Sequence, residues 1–317
     1  MPSTFSNWKT DNYKFVGKAF DFAYADRLNK LSPVVGEANA RSIDYELTGS
    51  GGYGEAPAYD GSNLNEGSLH RGFKTVITPV EYTLSIPVGY KEAKIDKMGE
   101  TRKVGTKLGD SVAMTVYLHV LRMFANAWNG DKVGGDGVSW ASAAHPVASK
   151  GSSGRKFAAD PDAGTYSNVS TDAFSVSAIT AAQARANRFL TPDGMPFLCD
   201  FDTVLIAPEL EEKAKKMFGE DARLMPTRSP EDDTNGANPV YGMKYIVMGG
   251  GADGFTAKQW AVCDRRLMKE LVNIVYNTRP MVLQSPQDNP LKDLYTAYTD
   301  FGVGWGDARQ IIFGDPG

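Results

Sequence analysis

Hydrophobic and polar residues alternate without a break between residues 80 and 88 (VEYTLSIPV). One face of this segment carries Val80, Tyr82, Leu84, Ile86 and Val88. A period of two predicts a β-strand with one apolar face. Two prolines, Pro79 and Pro87, fall on the other face, and proline has no N–H to donate to a ladder. The strand is therefore predicted to lie at the edge of a sheet or in a two-stranded ribbon.

A second pattern, with a period of about four, runs from about residue 99 to residue 128 and predicts a long helix. Its main apolar stripe consists of Val104, Leu108, Val112, Val116, Val120 and Phe124. A neighbouring stripe consists of Met114, Tyr117, Leu121, Ala125 and Trp128. A helix of about 28 residues would be about 42 Å long, roughly twice the usual length in globular proteins. Because Gly105 and Gly109 each cost about 1 kcal/mol relative to alanine in a helix, the first turns are predicted to be the weakest.

The amino-terminal region predicts a short amphipathic helix inside an arm, followed by a glycine-rich loop. The apolar residues at helical spacing are Phe15, Ala19, Phe22 and Ala23. Pro33 and Gly36 end this pattern. Residues 49–72 then contain seven glycines, one proline and no apolar period. A loop of this length is unusual inside a compact domain, so we expect it to be mobile or to be ordered by contacts outside its own domain.

The second half of the chain predicts interleaved helices and strands, which is an α+β pattern. Ser177 or Thr180 would cap a helix that continues to about Leu190. The elements predicted after it are a Pro-Asp-Gly turn (191–196), a buried strand (202–207), a helix closed by Gly219 (208–218), strands near 244–248, 260–263 and 271–276, and an alternating segment at 292–313.

Composition and charge exclude several classes of protein. The 317 residues include 34 Lys and Arg against 38 Asp and Glu, a net charge of −4, so the chain is not a strongly basic nucleic-acid binder. A hydrophobic fraction of 42% provides material for a core and excludes a disordered chain. No run of about 18 apolar residues predicts a membrane span, and the first residues do not predict a signal peptide. The length fits one large domain or two ordinary ones.

Motifs for cofactor binding or disulfides are absent or lack their structural context. Residues 49–54 match the dinucleotide fingerprint Gly-x-Gly-x-x-Gly, but Pro57 and Gly61 follow where a helix would have to begin. A flexible loop is the better interpretation. Cys199 and Cys263 are too few for a disulfide framework and are predicted to be buried or half-buried thiols in a reducing compartment.

The three histidines, His70, His119 and His145, are far apart in the sequence. His119 lies inside the long predicted helix, where we expect a satisfied helical histidine, and His145 precedes a proline in a loop. No His-Glu-x-x-His, Cys-x-x-Cys or Gly-x-Ser-x-Gly motif is present. A catalytic triad assembled from scattered residues stays open, but no catalytic, cofactor-binding or metal-ligating residue is predicted.

Two further patterns have an ordinary interpretation. Residues 168–170 (NVS) form a glycosylation sequon, which we expect to be idle without a secretion signal. A basic run interrupted by acidic residues predicts a solvated face, with a contact between subunits as the alternative. Its members are Lys91, Lys94, Lys97, Arg102, Lys103 and Lys107.

The order of these parts resembles the major capsid proteins of Hong Kong 97-type phages, and most closely the Mu-like major head subunit family. Residues 135–147 (GDGVSWASAAHPV) resemble the family's Asp-Gly, aromatic and His-Pro loop after its long helix. Residues 181–208 follow the family's order of helix, Asp-Gly-x-Pro turn and apolar strand ending in Ala-Pro. Residues 300–317 (DFGVGWGDARQIIFGDPG) are similar to its closing pattern, and residues 73–88 to the ribbon before its spine helix.

This resemblance implies a Hong Kong 97-like α+β capsid fold. Its parts would be an amino-terminal arm (1–45), an extended β-ribbon loop (46–95), a peripheral domain (96–174 and 291–317) with a spine helix at about 97–129, and an axial domain (175–290). The implied function is that of a major head protein. Its copies would assemble into hexamers and pentamers of an icosahedral shell around double-stranded DNA, in a virion built in the cytoplasm of a host bacterium.

The resemblance also implies partners and leaves alternatives open. Other copies of the chain, a portal and a separate scaffold or protease are expected, with decoration proteins as further candidates. Packaged DNA would be contacted weakly and non-specifically, and no cofactor or membrane is expected. The alternatives are a nanocompartment shell protein of the same fold, an α+β enzyme with a scattered site, and a phage tail or accessory protein that forms rings or tubes.

Overall fold

The computed structural model describes residues 5–28, 30–50, 56, 58–59, 71–89, 91, 100–147, 164–191, 195–219, 238–249, 251–285 and 292–317. The chain divides into two compact units. The first comprises Met1–Tyr45, Ile77–Val120 and Asn273–Gly304, and the second comprises Glu46–Val76, Leu121–Val272 and Trp305–Gly317.

Helices and strands are interspersed along the described chain. In order they are α1 (Phe5–Leu28), β1 (Gly36–Asn39), β2 (Tyr45–Ser50), β3 (Arg71–Ile77), β4 (Val80–Gly89), α2 (Glu100–Ala125), β5 (His145–Pro146), β6 (Thr165–Tyr166), β7 (Val169–Ser170), α3 (Val176–Ala186), β8 (Thr203–Ile206), α4 (Glu211–Phe218), β9 (Lys244–Val247), β10 (Trp260–Cys263), α5 (Arg265–Leu271), β11 (Val272–Ser285), β12 (Lys292–Trp305) and β13 (Ile311–Gly314). One 3₁₀ turn, Pro208–Leu210, precedes α4, and another, Gly251–Asp253, precedes β10.

The first unit is built on a four-stranded sheet in the order β1-β11-β12-β4. β4 pairs antiparallel with β12 from Val80–Phe301 to Gly89–Lys292, and it lies at the edge of the sheet, as the two prolines predict. Helices α1 and α2 pack on one face of this sheet. The buried core there consists of Val16, Phe20, Val88, Leu108, Val112, Val282, Tyr295 and Ala297.

The long helix predicted from the sequence is confirmed as α2, which has 26 residues. The presence of two glycines in α2 is explained by its packing against α1, which the sequence pattern did not indicate. A Cβ at Gly105 would lie 2.5 Å from the carbonyl oxygen of Val16, and a Cβ at Gly109 would lie 2.5 Å from that of Phe20. The glycines therefore let the backbone of α1 approach α2 closely, which no larger residue allows without displacement.

The predicted amino-terminal helix exists, but it is longer than expected and its apolar face is partly wrong. The 24 residues of α1 bury Val16, Phe20 and Ala23. By contrast, Phe15 and Phe22 are 64% and 79% exposed. Each phenylalanine precedes a buried residue by one position, and one position turns a helix by about 100°. Their side chains therefore point away from the surface that α2 and the sheet cover.

The second unit is built on a five-stranded sheet in the order β7-β13-β10-β8-β9. β10 pairs antiparallel with both β8 and β13, and every residue of these three strands is buried. Helices α3 and α4 contribute Ile179, Ala182, Ala214 and Met217 to the same core. The strands predicted at 202–207, 244–248 and 260–263 and the helix closed by Gly219 are confirmed.

The predicted bounds of α3 are wrong at both ends. Its cap is Ser175, which has extended backbone geometry and accepts the N–H of Ala178, and the helix ends at Ala186. Thr180 lies inside the first turns, and its hydroxyl donates back to the carbonyl of Val176 at 3.1 Å. Because a hydroxyl inside a helix can satisfy itself in this way, sequence pattern alone does not tell it from a cap.

β2 and β3 form a two-stranded ribbon within the region predicted as a long loop. The strands include residues 49–50 and 71–72, so the ends of the predicted loop are strands, and most of residues 51–70 lie outside the described residues. An ion pair between Glu46 and Lys74 joins the two strands. The centre of the predicted turn at 192–194 also lies outside the described residues.

Candidate functional site

Segments that are far apart in sequence meet around His145 in the second unit. Asp136 and His145 come from the loop after α2, Asn168 precedes β7, and Arg309 lies between β12 and β13. His145 and Asn168 are fully buried, and the side chain of Asp136 is 7% exposed. The sequence motifs at 135–147 and 300–317 thus form one network, which nothing in their spacing indicated.

His145 is held on both sides of its ring. Nδ1 lies 2.6 Å from Oδ2 of Asp136, and Nε2 lies 3.1 Å from the carbonyl oxygen of Trp140 and 3.2 Å from Oδ1 of Asn168. The ring also stacks on Tyr166, with centroids 5.1 Å apart. These contacts fix the loop after α2 against the segment before β7.

Arg309 extends the same network to the carboxyl-terminal segment. Its guanidinium is 2.9 Å from Oδ2 of Asp307 and donates to the carbonyl of Val147 at 2.8 Å. It also lies over the rings of Tyr166 and Phe197, at 5.2 and 5.8 Å from their centroids. Burial, with the nearby Asp307 charge, raises the pKa of Tyr166 well above its usual value, so this residue is a neutral hydrogen-bond donor.

This network is structural in character. His145 has no accessible surface for a substrate, and both atoms facing Nε2 are hydrogen-bond acceptors. Asn168 is also fully buried, so the sequon at 168–170 cannot be modified in the folded chain. No group of three or more potential metal-ligating His, Cys, Asp or Glu side chains occurs within the described part of the chain.

An aromatic cluster lies beside the network. The rings of Trp140 and Trp305 stack with centroids 5.5 Å apart, and Phe313 meets Trp140 edge-on at 5.2 Å. A Cβ at Gly134 would lie 2.1 Å from the ring of Trp305. The glycine at position 134, in the loop after α2, therefore leaves room for a large aromatic side chain from the end of β12.

A cleft of about 760 Å³ opens elsewhere on the second unit, and the one buried carboxylate in its described lining, Asp264, is already engaged. Asp264 accepts the N–H groups of Arg266 and Leu267 as the cap of α5, and that of Asp200 at 2.8 Å. Burial, reinforced by the Asp264 charge, raises the pKa of Cys199 to about 11. The cleft thus offers a neutral thiol, and this geometry does not suggest nucleophilic chemistry.

The cysteine and histidine predictions can be compared with these positions. Cys199 is half-buried and Cys263 is buried, as predicted. His119 packs its ring against Tyr82 and Phe301 at 5.1 and 5.4 Å, in line with a satisfied helical histidine. His70 lies outside the described residues.

The basic run can be followed at only part of its length. Lys91, Lys103 and Lys107 are exposed, and the side chains of its other three members lie outside what the structure describes.

Within the described chain no helix is both long enough and apolar enough to cross a membrane.

The strongest candidate for an interaction surface is the edge of the first unit's sheet. Val80 and Leu84 of β4 are 53% and 40% exposed, although their cross-strand partners Phe301 and Ala297 are buried. Residues directly opposite in an antiparallel pair share a face, so both side chains project from the core face at its open margin. Among the described strands, none pairs with the outer edge of β4.

Comparisons with known proteins identify the fold. The sequence matches no protein-family model and no curated relative. The structure resembles the capsid of an empty GTA particle, with 13% identity, 90% of this chain and 88% of that chain covered, and a TM-score of 0.52. It also resembles the virus-like particle from Pyrococcus furiosus (8% identity, 96% and 99% covered, TM-score 0.51) and the capsid of Ralstonia phage GP4 (11%, 89% and 87%, 0.51). The chain has the Hong Kong 97-like α+β fold, which confirms the predicted fold class.

Proposed function

We propose that this chain is a major capsid protein whose copies form the hexamers and pentamers of an icosahedral shell around double-stranded DNA. The observation that carries the proposal is the likeness over about nine-tenths of both chains to three shell subunits. A shell subunit needs no catalytic site. The one buried histidine network in the described chain fastens loops together, and we propose that the chain is not an enzyme.

The parts of the molecule take on roles under this proposal. Residues 1–45 would act as the amino-terminal arm and residues 46–95 as the extended loop, with the β2–β3 ribbon as its base. The peripheral domain would comprise 96–174 and 291–317, and the axial domain 175–290. The ribbon offers backbone hydrogen-bonding groups to another chain, and in an assembly such an edge is a means of joining.

The proposed partners follow from a shell role. Other copies of the chain would cover the margin formed by Val80 and Leu84. A portal and a separate scaffold or protease would take part in assembly inside a bacterial cytoplasm, with decoration proteins added to the virion. A net charge of −4 supports weak, non-specific contact with packaged DNA, because tight binding would need a basic surface. Among the Hong Kong 97-type capsid proteins, we propose the Mu-like major head subunits as the family to which this chain is most similar.

A second candidate is a shell that encloses protein cargo instead of a genome. The likeness to the Pyrococcus furiosus virus-like particle covers 96% of this chain and 99% of the other. That particle is described as virus-like and not as a phage capsid, so the fold by itself does not require a phage genome inside the shell. The contents of purified particles distinguish the two candidates. Nuclease-sensitive duplex DNA supports the phage head, and a stoichiometric second protein supports the cargo shell.

Assembly itself is tested by removing the tip of the extended loop. Deleting residues 51–67 leaves both strands of the ribbon in place, because β2 ends at Ser50 and β3 begins at Arg71. We expect the full chain to form rings or closed shells in electron micrographs, and the deletion variant to give folded subunits that do not close shells. A full chain that stays monomeric at every concentration, or normal shells from the deletion variant, would contradict the proposal.

A further inference from the structure

Helix α1 carries an apolar stripe on its exposed face. Phe15 and Phe22 are 64% and 79% exposed there, while Val16 and Phe20 are buried in the core of the first unit. The two exposed phenylalanines are seven residues apart, which is about 10.5 Å along a helix with a sideways drift of only about 20°. They therefore lie nearly in line, with the half-buried Ala19 between them.

Opposite charges lie beside the two ends of this stripe. Lys14 is exposed and stands directly before Phe15. Asp21 is also exposed and stands directly before Phe22. The two charged residues are therefore also seven positions apart and lie on the same flank of the stripe. Ion pairs within a helix form three or four positions apart, so these two charges are too distant to pair with each other.

We infer that this stripe is covered by the same stripe of a second copy of the chain, with the two α1 helices antiparallel about a two-fold axis midway between the two phenylalanines. Phe15 of each copy then meets Phe22 of the other. Lys14 of each copy likewise meets Asp21 of the other. Parallel helices would instead place lysine against lysine and aspartate against aspartate, which is repulsive. The order of the charges thus selects the antiparallel arrangement, an isologous contact in which one patch meets itself.

The area of this contact indicates when it forms. Four partly exposed phenylalanine side chains bury on the order of 600 Å², whereas a stable interface buries about 1,200 Å² or more. The stripe therefore does not hold two copies together by itself, and it joins copies that other contacts have already brought close. The inference thus rests on the proposed assembly of copies, and it adds a two-fold contact through α1 that is separate from the edge of β4.

Cysteines introduced into α1 of the full-length chain test the contact and its orientation. Ala19 is next to the axis, so its two copies would be about 1.5 Å apart along the helices, whereas the two copies of Ala25 would be about 20 Å apart. In a parallel pair, both positions would be level. We expect a short bis-maleimide linker to join copies of Ala19→Cys, but not copies of Ala25→Cys or of the wild type, which has only Cys199 and Cys263.

Each outcome bears on the inference separately from the shell. Shells that form without the Ala19→Cys dimer would overturn the inference, leave the stripe to another occupant and keep the proposed function. The dimer in a preparation that forms no shells would support the inference and contradict the proposed function. A chain that gives neither shells nor the dimer would overturn both, and a dimer of Ala25→Cys would overturn the antiparallel arrangement.

Exchange of the flanking charges tests which residues meet. Lys14→Asp makes the flank of every copy acidic, and Asp21→Lys makes it basic. In chains that also carry Ala19→Cys, each variant alone should give roughly tenfold less dimer, because both ion pairs become repulsive. Co-expression of the two variants should restore the dimer, since each acidic flank then meets a basic one, and two misfolded variants would not restore each other. Lys107→Asp, at an exposed lysine of α2, is the control and should leave the yield unchanged. Unchanged yields in both single variants, or no recovery on co-expression, would overturn the inference.

Discussion

Replacing Gly105 or Gly109 with alanine sets two opposing effects against each other. Alanine is favoured over glycine inside a helix by about 1 kcal/mol. Against this, a Cβ at either position would lie 2.5 Å from a carbonyl oxygen of α1. These oxygens belong to the backbone and cannot rotate away, so α1 would have to move away from α2. Overpacking of this kind costs about 1–3 kcal/mol, and we expect the clash to prevail.

The chain contains a matched control in α1. Gly17 is also a helical glycine, but a Cβ added there meets nothing within 4 Å. Gly17→Ala is therefore expected to raise the free energy of unfolding by up to about 1 kcal/mol. Gly105→Ala and Gly109→Ala are each expected to lower it by up to about 2 kcal/mol. The double variant should lose less than the sum, because one displacement of α1 relieves both clashes.

Urea unfolding of the unassembled chain, followed by far-ultraviolet circular dichroism, measures these differences at constant m-value. If Gly105→Ala and Gly109→Ala stabilised the chain as much as Gly17→Ala, the two helices would not be in close contact and the reasoning would fail. An m-value that falls only in the two α2 variants would instead show that α1 detaches, which is the limiting case of the same clash.

Three further changes test other parts of the structure by the same unfolding measurement. Ser175→Ala should lower the free energy of unfolding by about 1 kcal/mol, because it removes the cap of α3. The control Ser177→Ala should change the free energy of unfolding by less than about 0.5 kcal/mol. Equal effects of the two changes would contradict the cap assignment. Arg309→Ala should lower the free energy of unfolding by about 3 kcal/mol, because it leaves the mostly buried Asp307 without its cation. Arg279→Ala removes an exposed ion pair with Glu37 and should lower the free energy of unfolding by less than about 1 kcal/mol. Burial raises the pKa of Tyr276 to about 12, so its contribution to stability is present below the unfolded value of about 10 and is lost as the pH rises through 12. Tyr276→Phe should remove this part of the alkaline loss, and an unchanged pH profile would refute it.

Elements with a strong local period could be predicted from the sequence. The alternation of β4, the stripe of α2 and the apolar run of β8 each predicted the right element. Burial on one face leaves a periodic pattern in the sequence, and burial on both faces of a strand leaves a continuous apolar run. The prolines also gave the edge position of β4 correctly. These features depend on neighbouring residues in the chain, which a sequence displays directly.

Features that depend on distant segments could not be predicted in this way. The cost of Gly105 was visible in the sequence, but its reason is the backbone of Val16. Asp136 and Arg309 belong to one network only because the fold brings the loop after α2 to the carboxyl-terminal segment. The cap at Ser175 was missed because three hydroxyl residues lie within six positions, and their backbone geometry decides which of them is the cap.

The places where pattern and burial disagree also bear on function. Val80 and Leu84 alternate as if they were buried, and Phe15 and Phe22 have helical spacing as if they faced a core, yet all four are exposed in a single copy of the chain. An exposed apolar group of this kind, next to a buried core, is typical of a surface that another molecule covers. The His145 network gives the contrast, since His145, Asn168 and Arg309 are buried in a single copy of the chain. The first unit therefore exposes apolar surface beside its core, as the proposed shell function requires. A charged substitution at Leu84 should weaken the association of copies of the chain more than it lowers the free energy of unfolding.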